Sequence, residues 1–129
     1  GSGRLPVAVL GDGDTLMGVT AIWTAAHYEI PLLIIVANNR SYFNDEQHQE
    51  RVARKRERPV ENKWIGQRIA DPEPDIAAMA RAQGAHAVGP IKDRETLRSA
   101  MKAAVAAVRA GQVALLDVHI EAGYGDGAG

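Results

Sequence analysis

The chain has 129 residues, 46% of them hydrophobic, enough for one domain with a real core. A net charge of −1 excludes the broad basic field that nucleic acid or an anionic membrane surface would attract. The absence of cysteine rules out disulfides, thiolate zinc sites and a cysteine nucleophile, and it fits a reducing, cytoplasmic setting.

Gly1-Ser2-Gly3-Arg4 is not a signal peptide, and no apolar run approaches membrane-spanning length. Val7 to Leu10 and Leu32 to Ala37 are short, continuously apolar and partly β-branched, as parallel strands covered on both faces are. Between them, Thr15 to Tyr28 spreads Leu16, Met17, Val19, Ala21, Ile22, Trp23, Ala25 and Ala26 around nearly a whole helix circumference. That pattern predicts a deeply buried helix with Trp23 in the core and His27 as a packed or capping residue at its end. Strand, glycine turn, helix and strand make a βαβ unit with a right-handed crossover. Residues 40–74 are long and polar, expected as a charged loop or lid. Asp75 to Gln83 carries Ile76, Met79 and Ala80 on one helical face, with Gly84 as its stop. His86 to Val88 is a weak strand candidate. Asp93 can cap a helix whose stripe is Leu97, Ala100, Met101, Ala104, Val105 and Val108 and whose end is Gly111. Val113 to His119 is the last strand, and residues 122–129 read as a flexible tail. This order predicts a single α/β domain, an open, mostly parallel sheet flanked by helices.

The most informative residues are Gly11-Asp12-Gly13, which end the first strand, and Asn38-Asn39, which end the second. Ligands of open α/β sheets bind beyond the carboxyl ends of the strands, so neighbouring parallel strands would bring one carboxylate and one carboxamide together. Gly13 lets the backbone approach a phosphate, and a helix starting near Thr15 aims its free N–H groups at the anion. Asp12 supplies a charged oxygen for Mg²⁺ and Asn39 a neutral one. A carbonyl from the next turn, that of Ser41, and two diphosphate oxygens would nearly complete an octahedron.

These motifs resemble the signature of thiamine diphosphate enzymes, GDG and NN at a matching spacing. Met17 falls where many relatives have Met in GDG-x-x-x-M, and Asn38-Asn39-Arg40-Ser41-Tyr42 matches NN-x-x-Y. From about Leu5 to Tyr124 the chain is similar to the diphosphate-binding domain of the acetolactate synthase, benzoylformate decarboxylase and benzaldehyde lyase group. The resemblance implies that Asp12 and Asn39 hold the metal through their side chains and Ser41 through its carbonyl oxygen. Gly11, Gly13, Asp14 and Thr15 would cradle the diphosphate, and Met17 would lie near the cofactor. The implied activity is that of a 2-oxo acid decarboxylase or carboligase of acetolactate-synthase-like type, with a benzaldehyde-lyase-like or acyl-coenzyme-A-cleaving enzyme as alternatives.

The resemblance assigns no catalytic residue to this chain. Such enzymes activate the cofactor with a glutamate on a separate pyrimidine-binding domain, contributed by the same or a neighbouring subunit. They also have a strand, a helix and a bulky apolar residue upstream of GDG. The chain is therefore expected to be the C-terminal part of a longer homo-oligomeric enzyme, its fold truncated at the N-terminus, inactive alone and prone to self-association. A middle domain of the full-length protein would be the place for any FAD. Two departures stand out: Asp14 puts a second carboxylate near the diphosphate, and Phe43-Asn44 stands where relatives often have Gly and an apolar residue.

Competing readings remain. A glycine turn alone serves any strand-to-helix connection, and paired asparagines alone are common turn residues. Asp12-Gly13-Asp14-Thr15 resembles the aspartate pair of haloacid-dehalogenase-type phosphatases, but its Thr is one position early and the next helix is too apolar. A non-catalytic interaction module would keep the fold without the chemistry. In the charged run from Asp45 to Arg58, Glu50 and Arg54 suit a solvated helix or mobile lid. Its interleaved acids and lack of aromatics argue against nucleic acid. His27, His48, His86 and His119 form no spaced metal cluster, and Trp64 is expected to anchor the long segment.

Overall fold

The structure, a computed structural model, describes residues 3–123. The tail expected from residue 122 and the far end of the resemblance at Tyr124 thus lie almost wholly outside the described residues. The elements are β1 (Val7–Gly11), α1 (Asp12–Met17), α2 (Ala21–His27), β2 (Leu32–Asn38), α3 (Phe43–Lys55), α4 (Ile76–Ala82), β3 (His86–Ile91), α5 (Arg94–Arg109) and β4 (Val113–His119). The four strands form one all-parallel sheet in the order β1-β2-β4-β3, as the continuous apolar runs require.

Each sheet face has its own core. On one side Ile22 and Ala25 of α2 and Ile76, Ala77 and Ala80 of α4 cover Ile34, Val36, Val113 and Leu115. On the other, Ala100, Ala104 and Val108 of α5 cover Leu33, Ala114 and Leu116. Asp75 and Asp93 cap α4 and α5 through the backbone N–H groups of Ala78 and Thr96, at 2.7 and 2.8 Å. The Thr96 backbone N–H and then its hydroxyl hold the Asp93 carboxyl below the usual carboxylate range.

Three expectations need correction. The helix expected over Thr15 to Tyr28 is two helices, starting three residues earlier and breaking at Gly18 to Thr20. A glycine followed by two β-branched residues propagates a helix poorly, and the Gly18 N–H closes α1 on the Asp14 and Thr15 carbonyls. Nor is this segment deeply buried. In α2 only Ile22 and Ala25 are fully buried, with Ala26 packed partly against the same core, while Met17 and Trp23 are 73% and 53% exposed. Trp23 is therefore not core; it stacks on the exposed His27 with ring centroids 4.8 Å apart. Within residues 40–74, Phe43–Lys55 is a helix with no buried residue, the solvated-helix alternative offered for the charged run. Glu50 pairs with Lys63 and, four residues along α3, with Arg54; these two cations, Lys63 foremost, hold its carboxyl below the usual range. The weak strand at His86 runs on to Ile91.

Candidate metal and diphosphate site

β1 and β2 are parallel neighbours with Gly11 opposite Ala37, so the residues that follow each strand emerge at the same end of the sheet. Asp12 opens α1 and is buried, and the NN turn leaves β2 beside it. The two segments meet at one atom. The Ser41 backbone N–H donates to Asp12 Oδ2 at 3.1 Å and to Asn39 Oδ1 at 2.9 Å. A carboxylate and a carboxamide oxygen from different chain segments thus converge on one backbone N–H.

The donor set suits Mg²⁺ chemically: oxygens only, one charged and one neutral, with no imidazole or thiolate. Among the described residues no three His, Cys, Asp or Glu side chains cluster as a metal site. A single carboxylate binds Mg²⁺ weakly, so the remaining positions have to come from backbone carbonyls, water and the oxygens of an anionic partner. The first N–H groups of α1, from Asp12 to Asp14, have no partner within the helix. With only six residues α1 has a small macrodipole, so these groups would act as hydrogen-bond donors more than as a positive pole.

Thr15 is buried and its hydroxyl donates to the Gly11 carbonyl at 2.7 Å, closing the turn, while Asp14 is exposed on the first turn. Gly13 is needed for a reason the sequence did not show: a Cβ there would lie 2.2 Å from Cε1 of Tyr42, so the Tyr42 ring rests on bare backbone. Met17 stands at the far end of α1, largely exposed.

The NN turn is held from several sides. Arg40 adopts φ +61°, a left-handed backbone that costs a side-chain-bearing residue. Its N–H donates to Asn38 Oδ1 at 3.0 Å, and its guanidinium donates to the carbonyls of Asn38 and Ile120, both at 3.4 Å. The long polar segment returns to pair with this turn: the Ile69 N–H donates to the Arg40 carbonyl at 2.8 Å and the Tyr42 N–H to that of Gln67 at 2.9 Å. The Ser41 hydroxyl donates to Glu46 and lies 3.4 Å from the Gln67 carbonyl. Trp64 is 42% exposed, with the Arg68 guanidinium of the same segment 5.0 Å above its ring. A cleft of about 460 Å³ opens beside Asn39, Arg40, Ser41, Glu46 and Arg68. A larger cavity of about 670 Å³ lies at the opposite end of the sheet, against Glu29, Gly84, His86 and Gln112. It is remote from the turn and from the strand ends where such sheets bind ligands.

Asp117 was not among the residues singled out in the sequence. It follows Leu115-Leu116 in the central strand β4 and is only 2% exposed; a lone carboxylate in an otherwise apolar strand was the available signal. Burial pushes its carboxyl above the usual range, against the opposing pull of the Asn38 hydrogen bond and of His119. His119 itself lies 3.2 Å from Glu73. With the folded-state value raised, the folded chain holds more protons than the unfolded chain between the ordinary carboxylate value and the raised one. Stability must fall as pH climbs through that window, leaving a constant penalty above it. Urea unfolding should find Asp117→Asn at least as stable as the parent at pH 7, with any advantage shrinking as the pH approaches the ordinary carboxylate range. An advantage that grows on acidification would contradict this sign.

Comparison with known proteins fits this geometry. The family model for the C-terminal thiamine pyrophosphate-binding domain of thiamine pyrophosphate enzymes matches residues 2–118. The chain is 31% identical to a benzoylformate decarboxylase of Pseudomonas aeruginosa, over 82% of this chain and 18% of that protein. It is 28% identical to an acetolactate synthase large subunit of Parasynechococcus marenigrum, over 93% and 18%. Its fold is similar to a thiamine diphosphate-dependent 4-hydroxybenzoylformate decarboxylase of Rhodococcus jostii, with a TM-score of 0.69 and 26% identity over 95% of this chain and 20% of that one. The chain thus spans about a fifth of the length of the relatives it matches. With strand order, motif spacing and similarity in agreement, the chain belongs to the thiamine pyrophosphate enzyme family, as its C-terminal cofactor-binding domain.

Proposed function

We propose that this domain holds thiamine diphosphate through Mg²⁺, as part of a 2-oxo acid decarboxylase or carboligase of acetolactate-synthase-like type. One observation carries the reading: Asp12 Oδ2 and Asn39 Oδ1 converge on the Ser41 N–H, from two turns at the same end of the sheet. In this reading Asp12, Asn39 and the Ser41 carbonyl hold the metal, and the backbone from Gly11 to Thr15 receives the diphosphate. When bound, the cofactor supplies the electron sink that a decarboxylation needs. This chain's own residues bind and orient it, and the activating glutamate belongs to a pyrimidine-binding domain.

Support for decarboxylation comes from the relatives, two of which are decarboxylases of benzoylformate type and one an acetolactate synthase. Calorimetric titration with thiamine diphosphate tests the reading directly. Binding is expected with Mg²⁺ present and lost when the metal is chelated; equal heats with and without metal would refute it.

The same reading predicts assembly. Met17, Trp23, Tyr28 and Ile30 present an uncovered apolar surface on and after α1 and α2. Light scattering is expected to show self-association as concentration rises, reduced by Trp23→Ser. A strict monomer at high concentration would argue against it.

A further inference from the structure

We propose that Asp117, which lies outside the metal-binding turn, is a positioning residue that sets the geometry of that turn through Asn38. The proposal rests on the reading of Asp12, Asn39 and Ser41 as the Mg²⁺–diphosphate site.

Asp117 Oδ1 accepts from Asn38 Nδ2 at 2.9 Å, a buried bond between groups 79 residues apart in sequence. An ionised carboxylate only accepts, so it commits the Asn38 amide to one orientation, nitrogen toward β4 and oxygen toward the turn. That oxygen then receives the Arg40 N–H at 3.0 Å. A flipped amide would set an NH₂ group against the Arg40 N–H, donor against donor.

Arg40 needs this hold because its backbone is left-handed at φ +61°. The residue that follows is Ser41, whose N–H touches both candidate metal ligands. An unbroken sequence of hydrogen bonds and peptide links therefore runs from β4 to the metal-binding oxygens: Asp117, Asn38, Arg40, Ser41.

Packing confines the start of this relay. A Cβ on Gly89 of β3 would lie 2.5 Å from the Asp117 Cβ and 3.2 Å from that of Ala77 on α4. The neighbouring strand thus leaves just the room that Asp117 fills. Metal-site partners one step removed from the ligands commonly tune affinity by orienting those ligands, and the Asn38 amide is the orienting element here.

The test uses the intact protein with three variants and two readouts. Asp117→Leu removes the acceptor while keeping the branching and heavy-atom count of the side chain, though with a larger volume. Asp117→Asn keeps an oxygen for the Asn38 amide. Asn38→Asp combined with Asp117→Asn reverses donor and acceptor but still offers the Arg40 N–H an oxygen. Amide hydrogen exchange of the cofactor-free protein is the first readout. In Asp117→Leu, Arg40 and Ser41 should exchange at least about tenfold faster while Val36 and Leu115 stay protected. The Mg²⁺ concentration for half-saturation with thiamine diphosphate is the second, expected to rise roughly tenfold or more. Asp117→Asn and the reversed pair should recover both.

Parental exchange at Arg40 and Ser41 in Asp117→Leu overturns the proposal, as does an Asp117→Asn variant with as mobile a turn as Asp117→Leu. If Asp117→Leu does not fold, Asn38→Asp alone against the reversed pair decides: a turn loosened by the first and not restored by the second also overturns it. Should the parent protein take up no cofactor with Mg²⁺, the metal-site reading fails separately, and the exchange comparison still decides whether Asp117 sets the turn.

Discussion

Asp12→Ala is expected to weaken Mg²⁺-dependent binding of thiamine diphosphate by at least about a hundredfold, beyond the range typical of substitutions one step removed from a metal. Asp12 is the only charged member of the oxygen pair that meets at the Ser41 N–H. Without it the cation has a neutral carboxamide and backbone carbonyls, while the diphosphate keeps its negative charge against buried backbone. The fold should suffer little, because Ser41 retains Asn39 Oδ1 as an acceptor. Asp12→Asn separates charge from shape, since it preserves an oxygen for the Ser41 N–H and removes the anion. Calorimetry with Mg²⁺ should find both variants strongly impaired, with urea midpoints near the parent. Unchanged affinity in Asp12→Asn would mean that the carboxylate does not face the metal.

The second large effect is expected at Gly13. A methyl group there would sit 2.2, 2.7 and 2.9 Å from three carbons of the Tyr42 ring, distances that no real Cβ tolerates. Tyr42 flanks the start of α3 and is tied by its backbone N–H to the Gln67 carbonyl, so the clash has to be relieved by turning the ring off the Gly13 backbone or by shifting α1. Overpacking of this kind costs about 1–3 kcal/mol. Gly13→Ala should therefore lower stability by about that much and also impair cofactor uptake. Tyr42→Ala opens the space, so the double variant Gly13→Ala/Tyr42→Ala should be nearly as stable as Tyr42→Ala alone, a clear departure from additivity. A Gly13→Ala protein within about 0.5 kcal/mol of the parent, the range of an unremarkable surface change, would show that the ring moves freely.

The parts of this molecule legible in the sequence are those governed by local chemistry. Leu32 to Ala37 and Val113 to His119 are strands because short apolar β-branched runs suit a sheet covered on both faces, whereas Val7 to Leu10, expected to be covered likewise, is an edge strand with Val7, Val9 and Leu10 exposed. Asp75 and Asp93 are caps because their side chains satisfy nearby N–H groups. Asp12 and Asn39 meet because a βαβ unit brings the carboxyl ends of both strands to one edge. The misreading of α1 and α2 has an equally physical origin. Apolar residues all round a helix specify a possible burial, but this sheet reaches only the side that carries Ile22 and Ala25. What the sequence left hidden depends on distant pairing. Nothing near Asn38 announces Asp117, and the return of Gln67 to Ile69 onto Arg40 and Tyr42 follows from tertiary closure. Tyr42 was visible as a motif position, yet its contact with Gly13 needed both turns in space.

β1 occupies one end of the sheet order, and Val9 is 68% exposed on a face that the helix α5 leaves bare. Its outer rim carries backbone donors and acceptors without a ladder partner among the described residues, beside an apolar stripe of Val7 and Val9. Such a rim is a template for intermolecular strand addition. The practical result concerns handling: solutions of this protein should lose material to sheet-rich aggregates on concentration or warming before the core itself melts, and a lysine at position 9 should delay that loss by making the rim repel its own kind.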